Sequence, residues 1–386
     1  MSEFRTIREL CSVVVDCPHS TPKWTANGKI VIRNKNIKHG KIDFSSPSYT
    51  DDEHFAQRIK RAKPHPGDII ITREAPIGDV GMIPENTECC LGQRMVLLRA
   101  NQSVCDNFYL LYSLQSLYVQ HQISWSEGTG TTVSNLRIPH LEQIQIPYLP
   151  LEQQAKISSV LRALEEKIEN NRRLNDNLQQ QAAALFSSLY DRTNTEVRFT
   201  DLIQILGGGT PKTGENTYWN GNIAFFTPKD VGTPYTLITE KTITEEGLSH
   251  CNSRLYPVNT VFVTARGTVG KVGMSGVPMA MNQSCYALVG KETHQLLVYF
   301  YTLKAVDRLK HKASGAVFDA ITTRDFESEQ IMKLSDDDAK AFLCIAEPMF
   351  QKVLNNCIEN LRLSTLRDSL LPKLMSGEVD VSAVQL

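Results

Sequence analysis

The run Gly209-Thr-Pro-Lys-Thr-Gly214 has the glycine spacing of a phosphate-cradling loop. Such a loop needs Lys and then Ser or Thr after its second glycine, to hold phosphates and Mg2+. Glu215 and Asn216 stand there instead, so nucleotide binding is not expected. Gly267, Gly270 and Gly273 miss the GxGxxG spacing of a dinucleotide site. The sequence holds no HExxH, no GxSxG and no Asp/Asn-Pro-Pro-Tyr/Phe tetrapeptide. The marks of zinc peptidases, serine hydrolases and amino-methyltransferases are therefore missing. The nine cysteines are odd in number and include no CxxC pair. They read as reduced structural thiols of a cytoplasmic protein, not as metal ligands. His19, His39, His54 and His65 lack carboxylates at a useful spacing and read as surface residues. A non-enzymatic chain without catalytic residues or metal is the expectation.

Recognition chemistry remains. Lys and Arg neutralise phosphates, Arg pairs with guanine, and Asn or Gln pairs with adenine. Residues 20–63 carry Lys23, Lys29, Arg33, Lys35, Lys38, Lys41, Arg58, Lys60, Arg61 and Lys63 against Asp43, Asp51, Asp52 and Glu53. Lys304, Arg308, Lys310, His311 and Lys312 form a second basic cluster. The candidate DNA contacts are Lys23, Arg33, Lys35, Arg73, Gln93 and Arg94 in the first half of the chain. In the second half they are Lys212, Lys229, Arg266, Gln283, Lys310 and Lys312. Thr129 and Thr131 join them from Glu127-Gly-Thr-Gly-Thr-Thr132, whose glycines let backbone N–H groups approach a phosphate. Two plainer readings stand beside these. A basic run is more often a solvated face, and the matched positions of Gln93 and Gln283 equally fit a shared structural hydrogen bond.

That match is part of an internal duplication. Thr72, Gly78, Val80, Gly81 and Met82 recur as Thr264, Gly270, Val272, Gly273 and Met274, all 192 positions on. Thr21-Pro22-Lys23 echoes Thr210-Pro211-Lys212. Further on, Lys167, Asn170 and Asn171 align with Lys352, Asn355 and Asn356 at an offset of 185. A repeat this ordered means two copies of one unit, each a globular part followed by a helical part.

The helical parts must position the globular ones. Leu151 to about Tyr190 holds no Gly or Pro. Ile157, Leu161, Leu164, Ile168, Asn171, Asn175, Leu178, Ala182, Leu185 and Leu189 follow alternating spacings of four and three, a coiled-coil seam. The second helix is expected to start at the capping sequence Ser335-Asp-Asp-Asp338 and to kink or restart at Pro348. Its seam runs through Val353, Asn356, Asn360 and Leu361. Asn on a seam commonly fixes register. In the globular parts, the β-branched runs Gly67–Thr72 and Val258–Thr264 predict strands. Asn107–Ser124 and Gln295–Lys312 predict amphipathic helices, and Leu141–Pro147 and Phe326–Met332 closing strands. The fold class is α/β mixed: two tandem pseudo-repeated α+β domains, at 1–150 and 193–335, joined by two long antiparallel coiled-coil helices, at 151–192 and 336–386.

This order resembles the specificity subunit of type I restriction–modification systems. The likeness rests on Ile146-Pro-Tyr-Leu-Pro-Leu-Glu-Gln-Gln-Ala-Lys-Ile157 at the start of the first helix. It rests also on Leu366-Arg-Asp-Ser-Leu-Leu-Pro-Lys-Leu-Met-Ser-Gly-Glu-Val379 near the end of the chain. The second helix start, Leu334-Ser-Asp-Asp-Asp-Ala-Lys340, departs from the Pro-Leu-Glu-Gln form. The resemblance implies two target-recognition domains reading the halves of a split, asymmetric site in double-stranded DNA. It implies helices that act as spacer and seat two modification (methyltransferase) subunits, with restriction (motor-nuclease) subunits joining. Cofactors would be none in this chain, with S-adenosylmethionine, ATP and Mg2+ on the partners. The recognition chain of a fused restriction–methylation enzyme and a coiled-coil adaptor that binds no DNA stay open as alternatives.

Composition is compatible with that division. The chain has 386 residues, with 41 basic and 42 acidic side chains. No apolar run approaches the roughly 18 residues of a membrane helix, and the first ten residues do not read as a signal peptide. Residues 1–150 hold 16 basic and 15 acidic side chains, residues 196–335 hold 14 and 13, and residues 336–386 hold 5 and 8. The acidic surplus thus falls on the second helix, which is expected to meet protein.

Overall fold

A computed structural model describes residues 3–38, 40–125, 135–232, 234–312 and 320–381. The chain divides into two compact units, Met1–Glu166 with Leu363–Leu386, and Lys167–Arg362. Two 40-residue helices, Leu151–Tyr190 and Asp336–Met375, each contribute one end to each unit.

The first unit is built on a four-stranded antiparallel sheet. Its order is Cys11–Asp16, Met95–Ala100, Ile69–Arg73, Ile77–Met82. Ile69, Ile70, Ile71 and Thr72 are all buried, because the sheet is covered on both faces. The alternation of a strand sends Ile69, Ile71, Val96 and Leu98 to one side, where they pack with Tyr109, Leu110, Ile157 and Leu161. Ile70, Met95 and Leu97 go to the other, against Ile32, Ile37 and Leu91. A smaller sheet, Ser48–Thr50, Lys29–Ile32 and Cys89–Leu91, lies beside it. Glu3–Thr6 pairs with Gln145–Tyr148 just before the first long helix.

The second unit repeats the plan. Ile203–Gly207, Cys285–Gly290, Val261–Thr264, Val272–Ser275 and Tyr235–Thr236 form a five-stranded sheet, with Lys241–Ile243, Trp219–Phe226 and Met279–Met281 as the smaller one. Helix Gln295–Lys312 covers one face, where Phe186, Phe300, Phe342 and Phe350 meet. Phe226, Phe262 and Met281 fill the other.

The structure corrects several sequence expectations. Asn107–Ser124 is two helices, Asn107–Gln115 and Leu117–Trp125, because Ser116 is extended. Its hydroxyl donates to the Ser113 carbonyl at 2.6 Å and accepts from Val119 N at 3.4 Å, competing with the helical ladder. The closing segments each hold a short helix, Ile138–Gln143 and Thr323–Ser328, before strands Gln145–Tyr148 and Gln330–Met332. The second long helix starts after Ser335, whose hydroxyl accepts from Asp338 N at 3.1 Å. It runs through Pro348 without restarting. Pro348 and Cys344 are both exposed, so water can serve the Cys344 carbonyl that a proline leaves without its N–H donor. Phe342, Ala346, Phe350 and Val353 are buried and hold the helix on its other face.

Candidate nucleic-acid interface

The backbone fixes which residues correspond between the two domains. Arg73 N donates to the Arg94 carbonyl at 2.8 Å, and Ala265 N donates to the Ser284 carbonyl at 2.8 Å. Leu136 N donates to Arg73 O at 3.0 Å, and Ile321 N to Ala265 O at 2.9 Å. Position 94 therefore matches 284, and Glu74 matches Arg266. The duplicated glutamines share one role. Gln93 Nε2 donates to the His19 carbonyl and, at 3.4 Å, to Thr21 Oγ1. Gln283 Oε1 accepts from Thr210 Oγ1. The structural hydrogen bond is thus present in both copies, tying the Thr-Pro-Lys segment to the turn before a central strand.

In the first domain that turn borders a recess of about 290 Å³ lined by Pro22, Trp24, Arg33, Asn34, Lys35, Gly92, Gln93 and Arg94. Trp24 is 45% exposed, and the Arg33 guanidinium lies over its ring at 5.0 Å. Lys35 Nζ donates to Ser46 Oγ at 3.2 Å. Arg94 has a left-handed backbone (φ 65°), and its Nε lies 3.1 Å from Glu74 Oε2. Glu74 is fixed in turn: Asn135 Nδ2 donates to its Oε1 at 2.8 Å, and Asn34 Nδ2 to its carbonyl at 2.7 Å. Lys23 pairs with Asp51 at 3.2 Å at the rim of the same domain.

Other basic residues of the first domain face inward. Arg73 donates to Asp16 Oδ2 at 2.8 Å, to Leu136 O at 2.9 Å and to Asn135 Oδ1 at 3.2 Å, and its side chain is 11% exposed. Such an arginine positions the turn instead of offering its donors to a phosphate. Arg58 is buried and donates to the carbonyls of Leu91, Gly92, Ser20 and Pro18 at 2.7–3.2 Å. Burial lowers its pKa. It clamps the two segments that form the recess. The basic window is further neutralised where Glu88 holds Lys29 and Lys63 and Asp43 holds Lys38.

In the second domain Lys212, Arg266 and Lys310 are exposed. Lys229 is paired with Glu240 at 3.4 Å. A Cβ at Gly270 would stand 2.6 Å from Lys310 Cε, so the lysine stem covers this left-handed glycine (φ 72°). Ile123 and Gln120 cover the matching Gly78. Lys312 is exposed but paired: its Nζ lies 2.5 Å from Glu329 Oε2, and Arg308 Nε lies 2.8 Å from Oε1 of the same fully buried carboxylate. Thr129 and Thr131 lie outside the described residues. Cys89 and Cys285 are buried, and burial pushes both thiols up to about 12.

The seam residues divide between the units. Ile157 and Leu161 belong to the core of the first, and Leu164 is half-buried. Ile168, Asn171 and Asn175 in the second unit are buried, with Leu178 partly so. Opposite them, Asn171 Nδ2 donates to Glu359 Oε2 at 2.8 Å and to Asn360 Oδ1 at 2.9 Å. Asn356 Nδ2 donates to Asn175 Oδ1 at 2.7 Å. As one number rises the other falls, so these segments run antiparallel. Val353 is buried, and Asn360 and Leu361 are half-buried. Among the described residues, no helix is long and apolar enough to cross a membrane.

The sequence model of the "Type I restriction modification DNA specificity domain" matches residues 3–180 and 192–333. The chain belongs to this specificity family. It is 23% identical over 342 residues to the type I restriction enzyme MjaIX specificity subunit of Methanocaldococcus jannaschii, covering 82% of this chain and 78% of that one. It is 20% identical over 414 residues to the putative MjaX specificity subunit of the same organism, covering 98% and 94%. The crystal structure of a type I S subunit from M. genitalium shares the fold, with a TM-score of 0.62, 18% identity, and 97% and 96% coverage. Within this specificity-family fold, sequence reasoning missed Trp24, Asn34, Glu74 and Asn135, and the buried clamping role of Arg58, which it counted only in the basic run. Trp24 directly follows the repeated Thr-Pro-Lys, which is a usable signal. The others carry none, because their partners lie 20 or more positions away.

Proposed function

We propose that this chain is the non-catalytic recognition subunit of a type I restriction–modification complex. It reads a split, asymmetric site in double-stranded DNA, one half through each globular domain. The long helices set the gap and seat two modification subunits, and restriction subunits join the complex. S-adenosylmethionine, ATP and Mg2+ belong to those partners. Each modification subunit flips out an adenine for N6 methylation.

The observation that carries this reading is one turn built twice with different side chains. The threonine–glutamine bond recurs in both domains, while the flanking pair is Arg94 and Glu74 in one and Ser284 and Arg266 in the other. A shared frame with unlike reading groups suits two unlike half-sites, whereas identical copies would suit repeated ones.

The test is methylated-base mapping in cells carrying this chain with its modification subunits. A split motif with two different halves is expected. Exchanging residues 1–150 for the matching domain of a relative should change one half only. Inserting four residues after Leu161 should widen the gap. A continuous motif, or none, rejects the reading.

A further inference from the structure

We propose that Arg94, aimed by Glu74, reads a guanine in the half-site of the first domain, and that the second domain makes no equivalent contact. The inference rests on the DNA-reading function above and names the base at one position. Arg94 Nε lies 3.1 Å from Glu74 Oε2, so the carboxylate sits on the Nε side of the guanidinium. The two terminal nitrogens form a parallel pair of donors at its far end. Guanine presents O6 and N7 as a matching pair of acceptors in the major groove.

Three further observations support a reading role over a surface ion pair. Glu74 is itself held by Asn135 and Asn34, so the arginine is aimed by fixed groups and loses little freedom on binding. Arg94 stands at φ 65°, a conformation uncommon for a residue with a Cβ, and such backbone strain is enriched at functional positions. Arg94 lines the recess that also holds Arg33 over Trp24. In the second domain Ser284 N donates to Asn282 Oδ1 at 3.0 Å, and the short serine side chain cannot present paired donors. Arg266 there stands in the place of Glu74, which removes the aiming carboxylate.

The experiment uses the chain assembled with its modification subunits. Arg94→Ala should leave a split motif in which one position of the first half accepts any base, with the second half unchanged. Methylation of the original site should fall roughly 10- to 100-fold. Glu74→Gln should give a smaller loss at the same position. As a check that needs no folded variant, 7-deazaguanine, which lacks N7, is placed at each guanine of the site. It should weaken wild-type binding by about tenfold at one position of the first half. A split motif without guanine in that half, a motif unchanged by Arg94→Ala, or indifference to 7-deazaguanine throughout would overturn the proposal while leaving the recognition function intact. Absence of any split motif for the wild type would reject that function itself.

Discussion

Thr210 donates its hydroxyl to Gln283 Oε1, joining segments 73 residues apart. The first domain makes the corresponding bond from Gln93 to Thr21. The bond ties a loop to the end of a central strand, so its effect falls on the shape of one reading turn. Thr210→Val should relax the motif of the second half-site while the first stays unchanged in methylation mapping. Stability should change by no more than about 0.5 kcal/mol, as for an exposed substitution. A relaxed first half would contradict the local role.

Arg58 has no carboxylate partner among its hydrogen bonds; four carbonyls surround its guanidinium. Arg58→Met would leave those buried acceptors without donors, at a cost of about 3 kcal/mol. A urea titration of the first unit's tryptophan fluorescence reads it. Arg58→Lys should recover only part, because an ammonium cannot span the same fork of acceptors. A full recovery would show that charge alone matters.

Asn356 is 1% exposed and donates to Asn175 at 2.7 Å. Replacing it by Ala strands a buried amide and should cost roughly 1–3 kcal/mol. Joint replacement of Asn175 and Asn356 by Leu should restore stability and lose uniqueness of register. Denaturant melts together with sedimentation velocity distinguish the two. A double variant that keeps one sharp species would remove the register-setting role.

Asp51 caps helix Asp52–Arg58. The backbone N–H of His54, then its side chain, and then Lys23 hold the Asp51 carboxyl down at about 2, from an ordinary 3.8. A depressed folded pKa contributes stability above the unfolded value, and that contribution is lost as pH falls through the folded one. The advantage of wild type over Asp51→Ala should be constant above about pH 5 and shrink between about pH 4 and 2. Urea midpoints across that range measure it, and an advantage that persists below pH 2 would contradict the charge-assisted cap.

Patterns local to the chain were readable from residue type. Ile69-Ile-Ile-Thr72 is β-branched at every position and forms the buried central strand. The four-and-three spacing from Ile157 onward gave the span of the first long helix, Leu151–Tyr190. The matched positions of Thr72 and Thr264, and of Gly78 and Gly270, exposed the duplication. Ser116 escaped, since a serine inside an apolar helical run breaks it only when its hydroxyl finds a carbonyl such as that of Ser113.

Chain order thus determined the repeated plan, the strands at its centre and the two long helices, because periodicity and β-branching act between near neighbours. The tertiary structure alone decided which basic side chains are available. Arg33, Arg58, Arg73 and Arg94 are the same residue type within one domain. Yet Arg58 is buried by carbonyls from residues 18–20 and 91–92, and Arg73 is paired with Asp16. Arg33 lies over Trp24, and Arg94 is aimed by a glutamate 20 positions away. Desolvation and pairing depend on distant segments brought together by folding, and no spacing in the sequence encodes them.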